Sequence, residues 1–464
     1  MTNYKSQTVI TATESERLAE FALGLELASI PADVVLLAKE HLLDVIGIAL
    51  ASSSFEFGQV AISGVRALGN GEEASVIGSG ERLPATSAAL ANGILAHSLD
   101  FDDTHIGAIY HASAPAMAAV LAAGQANKSS GAEVLAAFIV ALEIGCRLGT
   151  GGSGKFHVRG FHPTGLCGTF AAAAAAGRLS KLNQSALVSA LGLCGSMAAG
   201  ILEVGHSWLK RLHPGWAAHG GLTSVLLGGA GFQGPTSVFE GGHGFYATHT
   251  QEVPKGDLSP SLALGDEWQT LGIALKPYPC CHFTHGFVDA ALELRGQFEL
   301  ADIARIECPL TEMLHPMVGA PRERCINPPT IYAALFSVQY VVALALVKGR
   351  VDVAAFYDEP ISDPQILEIA ALTHCVSDPA SDFPKNFPGE VIVTLKDGRV
   401  FKCRKPTSLG TPKIPLPQAA IEAKFMANAT RAISASAAKL LLHNVMNIES
   451  AVSLDEIMAL CISN

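Results

Sequence analysis

The sequence feature that most restricts how this chain can fold is a run of six consecutive alanines at positions 171–176. Alanine has the highest helix propensity, so the run predicts a helix, and its small side chains let a neighbouring helix approach closely. Helix-like stretches precede and follow it at residues 14–27, from 31 onwards, 86–97, 114–126, 131–148, 165–179 and 184–200. We therefore expect residues up to about 260 to pack as helix against helix.

The low content of charged residues indicates a large buried interior. Of the 464 residues, 49% are hydrophobic and 16% charged, and a chain of this length exceeds what one compact core usually holds. The most apolar stretches, residues 34–51 and 134–148, contain charged residues such as Asp44 and Glu143, so neither predicts a membrane-spanning helix. Residues 1–5 lack the basic start and apolar stretch of a signal peptide.

The sequence pattern changes near residue 265 from helix-like stretches to a mixture of helix-like and strand-like stretches. Residues 303–309 alternate as a strand does, and residues 390–396 and 399–404 flank an Asp-Gly pair typical of a hairpin turn. Residues 417–464 look helical again and are too few to form a core alone. The predicted fold is mainly α, with a large all-helical domain formed by residues 1–265 plus 411–464. Residues 266–410 are predicted to form an inserted, smaller α+β domain.

Charge and cysteine usage limit the possible partners and the compartment. The net charge is -11 and the sequence has no basic tract, which argues against nucleic acid. The glycine-rich stretch 149–155 resembles a phosphate loop, but Phe156 stands where such loops have Ser or Thr, and a helix precedes it. The ten cysteines include no Cys-x-x-Cys pair, which favours free thiols in a reducing cytoplasm.

Residues 97–111 concentrate the groups that are best suited to chemistry: three histidines, three aspartates and Thr104. A carboxylate beside an imidazole makes an acid or base that works near neutral pH. The same side chains are suitable metal ligands. Asp102, Asp103 and Thr104 are also good helix N-caps. The residues alone leave capping, catalysis and metal binding open.

Two cationic segments follow. His162 precedes the alanine-rich helix, where the positive end of the helix dipole favours an anionic ligand, although a loop histidine held by Pro163 is equally consistent. Lys210, Arg211 and His213 form a short cationic cluster that is able to hold carboxylates, or else a solvated surface turn.

The fourth segment, residues 276–285, lies at the predicted domain boundary, a common place for a pocket. Lys276 begins it, and the alternatives are a zinc site of Cys280, Cys281, His282 and His285 or a nucleophilic thiol at Cys281. Adjacent cysteines do not match zinc-ligand spacing, and nothing in the sequence indicates a lowered thiol pKa.

In order and spacing, these motifs resemble the MmgE/PrpD family. The resemblance spans nearly the whole chain. It implies a helical domain made from both chain ends, an inserted lid, a homodimer, and catalysis without metal or cofactor on small di- or tricarboxylates. Activities in that family include 2-methylcitrate dehydration, cis-aconitate decarboxylation and iminodisuccinate epimerisation. The motifs that carry the resemblance are His97-Ser-Leu-Asp-Phe-Asp-Asp-Thr104, His111, Gly160-Phe-His-Pro-Thr-Gly165, Trp208-Leu-Lys-Arg-Leu-His213, Gly241-Gly-His-Gly-Phe-Tyr246, Lys276-Pro-Tyr-Pro279 and Phe336-Ser-Val-Gln-Tyr340.

The chain departs from the family patterns at several positions. The decarboxylase branch has a histidine at the position of Cys281 and a tyrosine at that of Val338, with Tyr340 nearby here. The dehydratases have Asn-Asp-Thr-Trp where this chain has Asp102-Asp-Thr-His105. By elimination, the leading hypothesis is an epimerase of iminodisuccinate. The alternatives are a dehydratase-like or decarboxylase-like lyase and, in another class, a non-catalytic polycarboxylate-binding protein.

The resemblance also implies roles for individual residues. His111, oriented by Asp100, is expected to move a proton at a carbon next to a carboxylate, with Lys210 or Tyr340 as second acid or base. By position, Asp100, Thr104, His111, His162, Lys210 and Lys276 match pocket residues of the decarboxylase branch. The expected substrate-binding residues are Thr104, His162, Arg211, His213, Lys276 and Cys281, and no residue is assigned to a metal.

Overall fold

A computed structural model describes residues 12–204, 207–383 and 385–463. This part of the chain is mostly helical with a small mixed sheet, which confirms the broad fold class. The signal-peptide prediction rests on residues 1–5, which lie outside the described residues. The helices are α1 (Glu14–Gly24), α2 (Ala32–Ser53), α3 (Glu56–Arg66), α4 (Ala85–His97), α5 (Ser113–Ala126), α6 (Gly131–Gly151), α7 (Lys155–Val158), α8 (Pro163–Leu179), α9 (Gln184–Cys194), α10 (Leu209–Gly229), α11 (Phe245–His249), α12 (His285–Leu294), α13 (Arg322–Ile326), α14 (Ile331–Ala334), α15 (Val338–Lys348), α16 (Val353–Tyr357), α17 (Pro364–Leu372), α18 (Gln418–Ala429), α19 (Ala435–Met446) and α20 (Asp455–Ala459).

The strands form one four-stranded sheet and two short pairs. The sheet has the order β6-β5-β7-β8, with β5 and β6 parallel and the other neighbours antiparallel. The predicted hairpin is β7 and β8, whose pairing ends at Thr394 opposite Val400. The strands are β1 (Ala74–Ser75), β2 (Arg82–Leu83), β3 (Thr104–His105), β4 (Ile273–Ala274), β5 (Ile303–Leu310), β6 (Thr373–Ser377), β7 (Gly389–Leu395) and β8 (Val400–Lys405).

The alanine run lies in α8 and packs closely against α10. A Cβ atom at Gly221 of α10 would come within 2.6 Å of the Cβ of Ala172, so glycine is needed at this contact. Helix α4 packs against α10 equally closely, because a Cβ at Gly93 would lie 2.5 Å from the Cα of Gly215. The small residues therefore bring the end of α4, where the histidine- and aspartate-rich loop begins, next to the start of α10.

The buried apolar side chains form two large clusters. The main core draws on residues 18–273 and 425–461, so both ends of the described chain contribute to it. The second core is built from residues 280–403 and includes the four-stranded sheet. The two cores follow the predicted segments, although the domain boundaries and the lid character of the insertion stay predictions. The helix expected over residues 184–200 ends instead at Cys194.

Helix α6 is long and apolar enough to cross a membrane by length and composition. In the structure, 94% of its apolar window is buried against the rest of the chain. Its apolar sequence is therefore explained by its place inside the main core.

Candidate active site

A cavity of about 550 Å³ lies between the two cores. Its wall contains side chains from the loop before α5, from the start of α10 and from the second core. Because pockets of about 300–1,000 Å³ are typical of small-molecule sites, its size suits a substrate. Seven of the predicted site residues line it: Asp100, Thr104, His111, His162, Lys210, Lys276 and Cys281.

Asp100 lies between two lysines at the closed end of the cavity. Its carboxylate contacts the ammonium of Lys210, and its Oδ2 lies 3.6 Å from Nζ of Lys276. Lys276 Nζ also donates to the Asp100 carbonyl oxygen at 2.8 Å. Burial alone would raise the pKa of Asp100, but the two ammonium groups outweigh it and hold that pKa far below its ordinary value.

The contacts of Asp100 differ from the ones its predicted role requires. The sequence motifs predict that Asp100 orients His111, whereas in the structure its carboxylate neutralises part of the charge of Lys210 and Lys276. The reason lies in the backbone: Asp100 has a φ of +51°, in the left-handed region, where Asp and Asn are enriched. The left-handed turn aims its carboxylate at the lysines, and sequence spacing does not reveal this direction.

His111 is held in one tautomer by its surroundings. Its Nδ1 lies 2.8 Å from the carbonyl oxygen of Asp103, which only accepts, so Nδ1 carries the hydrogen. The other nitrogen, Nε2, therefore has a free lone pair, and Lys210 Nζ lies 3.4 Å from it. Burial and the nearby Lys210 charge lower the pKa of His111 well below its ordinary value. At neutral pH the imidazole is an uncharged base facing an ammonium group.

The other two aspartates of the loop have different tasks. Asp102 accepts a hydrogen bond from Nδ1 of His97 at 2.8 Å, and burial raises the pKa of Asp102 to about 6. Asp103 accepts from the backbone N–H groups of Ala112 and Ser113, both at 3.1 Å, at the start of α5. Asp103 thus contributes hydrogen bonds at a helix start, as the capping interpretation predicts, while Asp102 forms a carboxylate–imidazole pair with His97.

His162 and His213 form a buried pair beside His111. Their Nδ1 atoms lie 2.8 Å apart, so one ring donates and the other accepts. Burial and the charge of Lys210 lower the pKa of His162 well below its ordinary value, and that of His213 falls to about 4 for the same reasons. His162 lines the cavity, whereas His213 lies behind it. The predicted binding role of His213 is therefore at most indirect.

Two further predicted site residues lie outside the cavity. Tyr340 is fully buried in the second core, 6.3 Å from the Phe356 ring, and its hydroxyl has no hydrogen-bond partner among the described residues. Position 340 falls on the face of α15 that points into that core, so the structure does not bring Tyr340 to the cavity, and its acid–base role stays a prediction. Arg211 packs its guanidinium over Phe57 at 3.9 Å and near Tyr332 at 5.4 Å, so it stiffens the wall rather than lining it.

Lys424 is a site-supporting residue that the sequence analysis missed. From α18, its Nζ donates to the carbonyl oxygens of Phe101 at 3.0 Å and Lys276 at 2.8 Å. It also pairs with the buried Asp44 carboxylate at 2.8 Å, and it lies 3.7 Å from the Phe101 ring. One ammonium thus fixes the backbone beside both Asp100 and Lys276. The local sequence around Lys424 is that of an ordinary amphipathic helix and gave no signal.

The cavity suits an anion better than a metal ion. Ring nitrogens of His97, His111 and His162 lie within 4.8 Å of one another, which by distance alone would accommodate a metal. However, the Lys210 ammonium already faces His111 Nε2, and a second cation there would be repelled. Burial raises the pKa of the Cys281 thiol to about 11, so this cysteine is neutral and lines the cavity as a small apolar group.

Comparison with known proteins gives one consistent family. Residues 16–256 match the MmgE/PrpD N-terminal domain, and residues 278–448 match the MmgE/PrpD C-terminal domain. Human cis-aconitate decarboxylase is 30% identical over 452 residues, covering 94% of this chain and 92% of that protein. Mouse cis-aconitate decarboxylase is 29% identical, covering 94% and 90%. The cis-aconitate decarboxylase-like protein oryM of Aspergillus oryzae is 27% identical, covering 96% of both.

Proposed function

Since this chain belongs to the MmgE/PrpD family, we propose that it is a lyase that releases carbon dioxide from a small unsaturated polycarboxylate. The observation that carries the proposal is the position of Lys210, which contacts both the Asp100 carboxylate and the free lone pair of His111. The relatives named cis-aconitate decarboxylases favour a lyase over the epimerase that the sequence analysis preferred.

The first task of the site is to hold carboxylates. Lys210 and Lys276 are buried cations whose combined charge exceeds that of Asp100, the carboxylate between them. A substrate carboxylate that enters this end supplies the missing negative charge. In a closed, weakly polar environment such fixed charges stabilise the negative charge that develops during reaction.

The reaction itself moves two electron pairs and one proton. With cis-aconitate, the bond between the methylene carbon and its carboxyl group breaks, carbon dioxide leaves, and the bonding pair forms a new double bond to the central carbon. The pair of the former double bond moves to the next carbon, which bears a retained carboxylate. That carbon then takes up a proton.

Lys210 is the proton donor in this proposal. His111 Nε2 accepts a hydrogen bond from its ammonium, which fixes the direction of the remaining N–H groups. Because His111 is neutral, it also receives a proton from solvent and returns it to Lys210 after each turnover. Thr104, whose Oγ1 lies 3.3 Å from His111 Nδ1, and the Asp103 carbonyl hold the ring in place.

The epimerase is the alternative within the family. An epimerase needs an acid and a base on opposite faces of one carbon. Lys210 and His111 are only 3.4 Å apart, so this pair cannot flank a carbon atom. Tyr340, the other residue proposed for the second face, lies outside the cavity. The geometry therefore supports one-sided proton delivery.

A substrate panel tests the proposal. The protein is incubated separately with cis-aconitate, 2-methylcitrate and iminodisuccinate, and products are identified by NMR together with released carbon dioxide. The proposal expects carbon dioxide from the unsaturated tricarboxylate, and none from a Lys210→Met variant. Inversion of iminodisuccinate without carbon dioxide release from any substrate would refute it, and alkene formation from 2-methylcitrate alone would indicate a dehydratase.

A further inference from the structure

The cavity has a charged inner end and an apolar outer part. The inner groups are deeply buried: Lys276 is 0%, Asp100 2% and Lys210 9% exposed. The rest of the lining is mostly apolar, with His157, His282, Tyr332 and Arg324 among its polar side chains, and it comes from both cores. The apolar lining residues are Ile109, Val158, Leu202, Val204, Phe283, Pro316, Met317, Pro321, Ala333, Phe336 and Phe387.

Some of these apolar side chains are left in contact with water. Val158 is 76% exposed and Met317 39%, although both face the cavity. Arg324, the cation in this outer part, is itself exposed and remains hydrated. A ligand that occupied only the inner end would leave this apolar lining exposed to solvent. A ligand with an apolar branch would cover it and gain free energy in proportion to the area removed from water.

The cavity volume sets a size for that branch. If each of the twelve non-hydrogen atoms of cis-aconitate is given the whole volume of a liquid water, about 30 Å³, the molecule fills at most roughly 360 Å³. The cavity measures about 550 Å³, so at least a third of it remains. On the same scale that remainder accommodates about six methylene groups.

We infer that the natural substrate is a polycarboxylate carrying an apolar substituent of about four to six carbons, which lies along the outer lining. The inference rests on the proposed function for the charged end, where Lys210 and Lys276 hold the carboxylates. The substituent points towards Met317 and Val158, away from the reacting carbon. The substituent contributes binding free energy, and the charged inner end of the cavity carries out the reaction.

Binding of unreactive ligands tests the substituent separately from the reaction. The probes are succinate and its 2-methyl, 2-butyl and 2-hexyl derivatives, titrated calorimetrically into the full-length protein. We expect affinity to rise by up to about three- to fourfold per methylene until the cavity is full. An Ala333→Phe variant, which fills the apolar part, is expected to lose most of this chain-length dependence. The matched control, Ala435→Phe, lies at the exposed start of α19 and keeps it.

The outcomes separate the two proposals. Affinity that stays flat or falls with chain length overturns the substituent, whether or not cis-aconitate releases carbon dioxide. Affinity that rises with chain length, with most of that rise lost in Ala333→Phe, supports the substituent. If affinity rises in this way but no unsaturated polycarboxylate is turned over, the ligand class stands and the proposed lyase reaction fails.

Discussion

Replacing Asp100 by Asn removes the carboxylate that neutralises Lys210 and Lys276. With an effective dielectric constant near 20, charges 3.6 Å apart, the Asp100–Lys276 distance, attract by about 4–5 kcal/mol. Removal of one partner from a buried ion pair typically costs about 3–5 kcal/mol. For a chain of 464 residues the entropy of unfolding is roughly 1 kcal/mol per degree, so we expect this loss of stability to lower the thermal midpoint by about 3–5 °C. Asparagine tolerates the left-handed backbone at position 100, so strain does not confuse the result.

Succinate should reverse this loss, because its carboxylates replace the missing charge. The assay is thermal unfolding of the wild type and of Asp100→Asn with and without succinate, and the variant should show the larger ligand-induced shift. Catalytic turnover should nevertheless fall, since Lys210 loses the partner that positions it. The matched control is Asp266→Asn in an exposed turn. An unchanged midpoint together with an unchanged succinate shift would refute the ion-pair argument.

Three further predictions follow from the site. Lys424→Met should lower kcat by about ten- to a hundredfold, because the carbonyl groups of Phe101 and Lys276 lose their shared hydrogen-bond donor. Adding Asp44→Asn should restore the thermal midpoint but not kcat. Steady-state kinetics and melting curves of the single and double variants measure both effects. Tyr340→Phe should leave kcat/KM within about twofold, and a hundredfold loss would restore its predicted catalytic role. Burial raises the pKa of Asp102 to about 6, so the contribution of this group to stability is present below its unfolded pKa and is lost as the pH rises through about 6. Asp102→Asn should therefore raise the thermal midpoint more near pH 8 than near pH 5. A difference in thermal midpoint that does not depend on pH would contradict this.

Local sequence signals were sufficient for much of the fold. The alanine run predicted α8 because helix propensity is a local property, and Asp397-Gly398 predicted the hairpin because its turn needs a left-handed residue. The motif order also pointed to seven of the residues that line the cavity. The helix over residues 184–200 was predicted too long, because after Cys194 the chain continues in tighter turns through Met197, which helix propensity does not distinguish from a helix.

The pairing of charges within the site could not be predicted from spacing. Asp100, Asp102 and Asp103 are near neighbours in sequence, yet they contact two lysines, a histidine and a helix start respectively. These directions depend on backbone angles in an irregular loop. Lys424 lies 148 residues after Lys276, so only the tertiary fold brings the two together. The burial of Tyr340 away from the cavity could not be predicted either, because a motif gives a position in the chain but not the face of the helix.

The central claim is that Lys210 and His111 deliver one proton to a carbon next to a retained carboxylate while carbon dioxide leaves. The most direct measurement is turnover of cis-aconitate in deuterated water, with the product analysed by NMR. The account predicts one deuterium per carbon dioxide released, at the carbon beside a carboxylate, and loss of both signals in Lys210→Met and His111→Gln variants. Undiminished carbon dioxide release and labelling in both variants would contradict it.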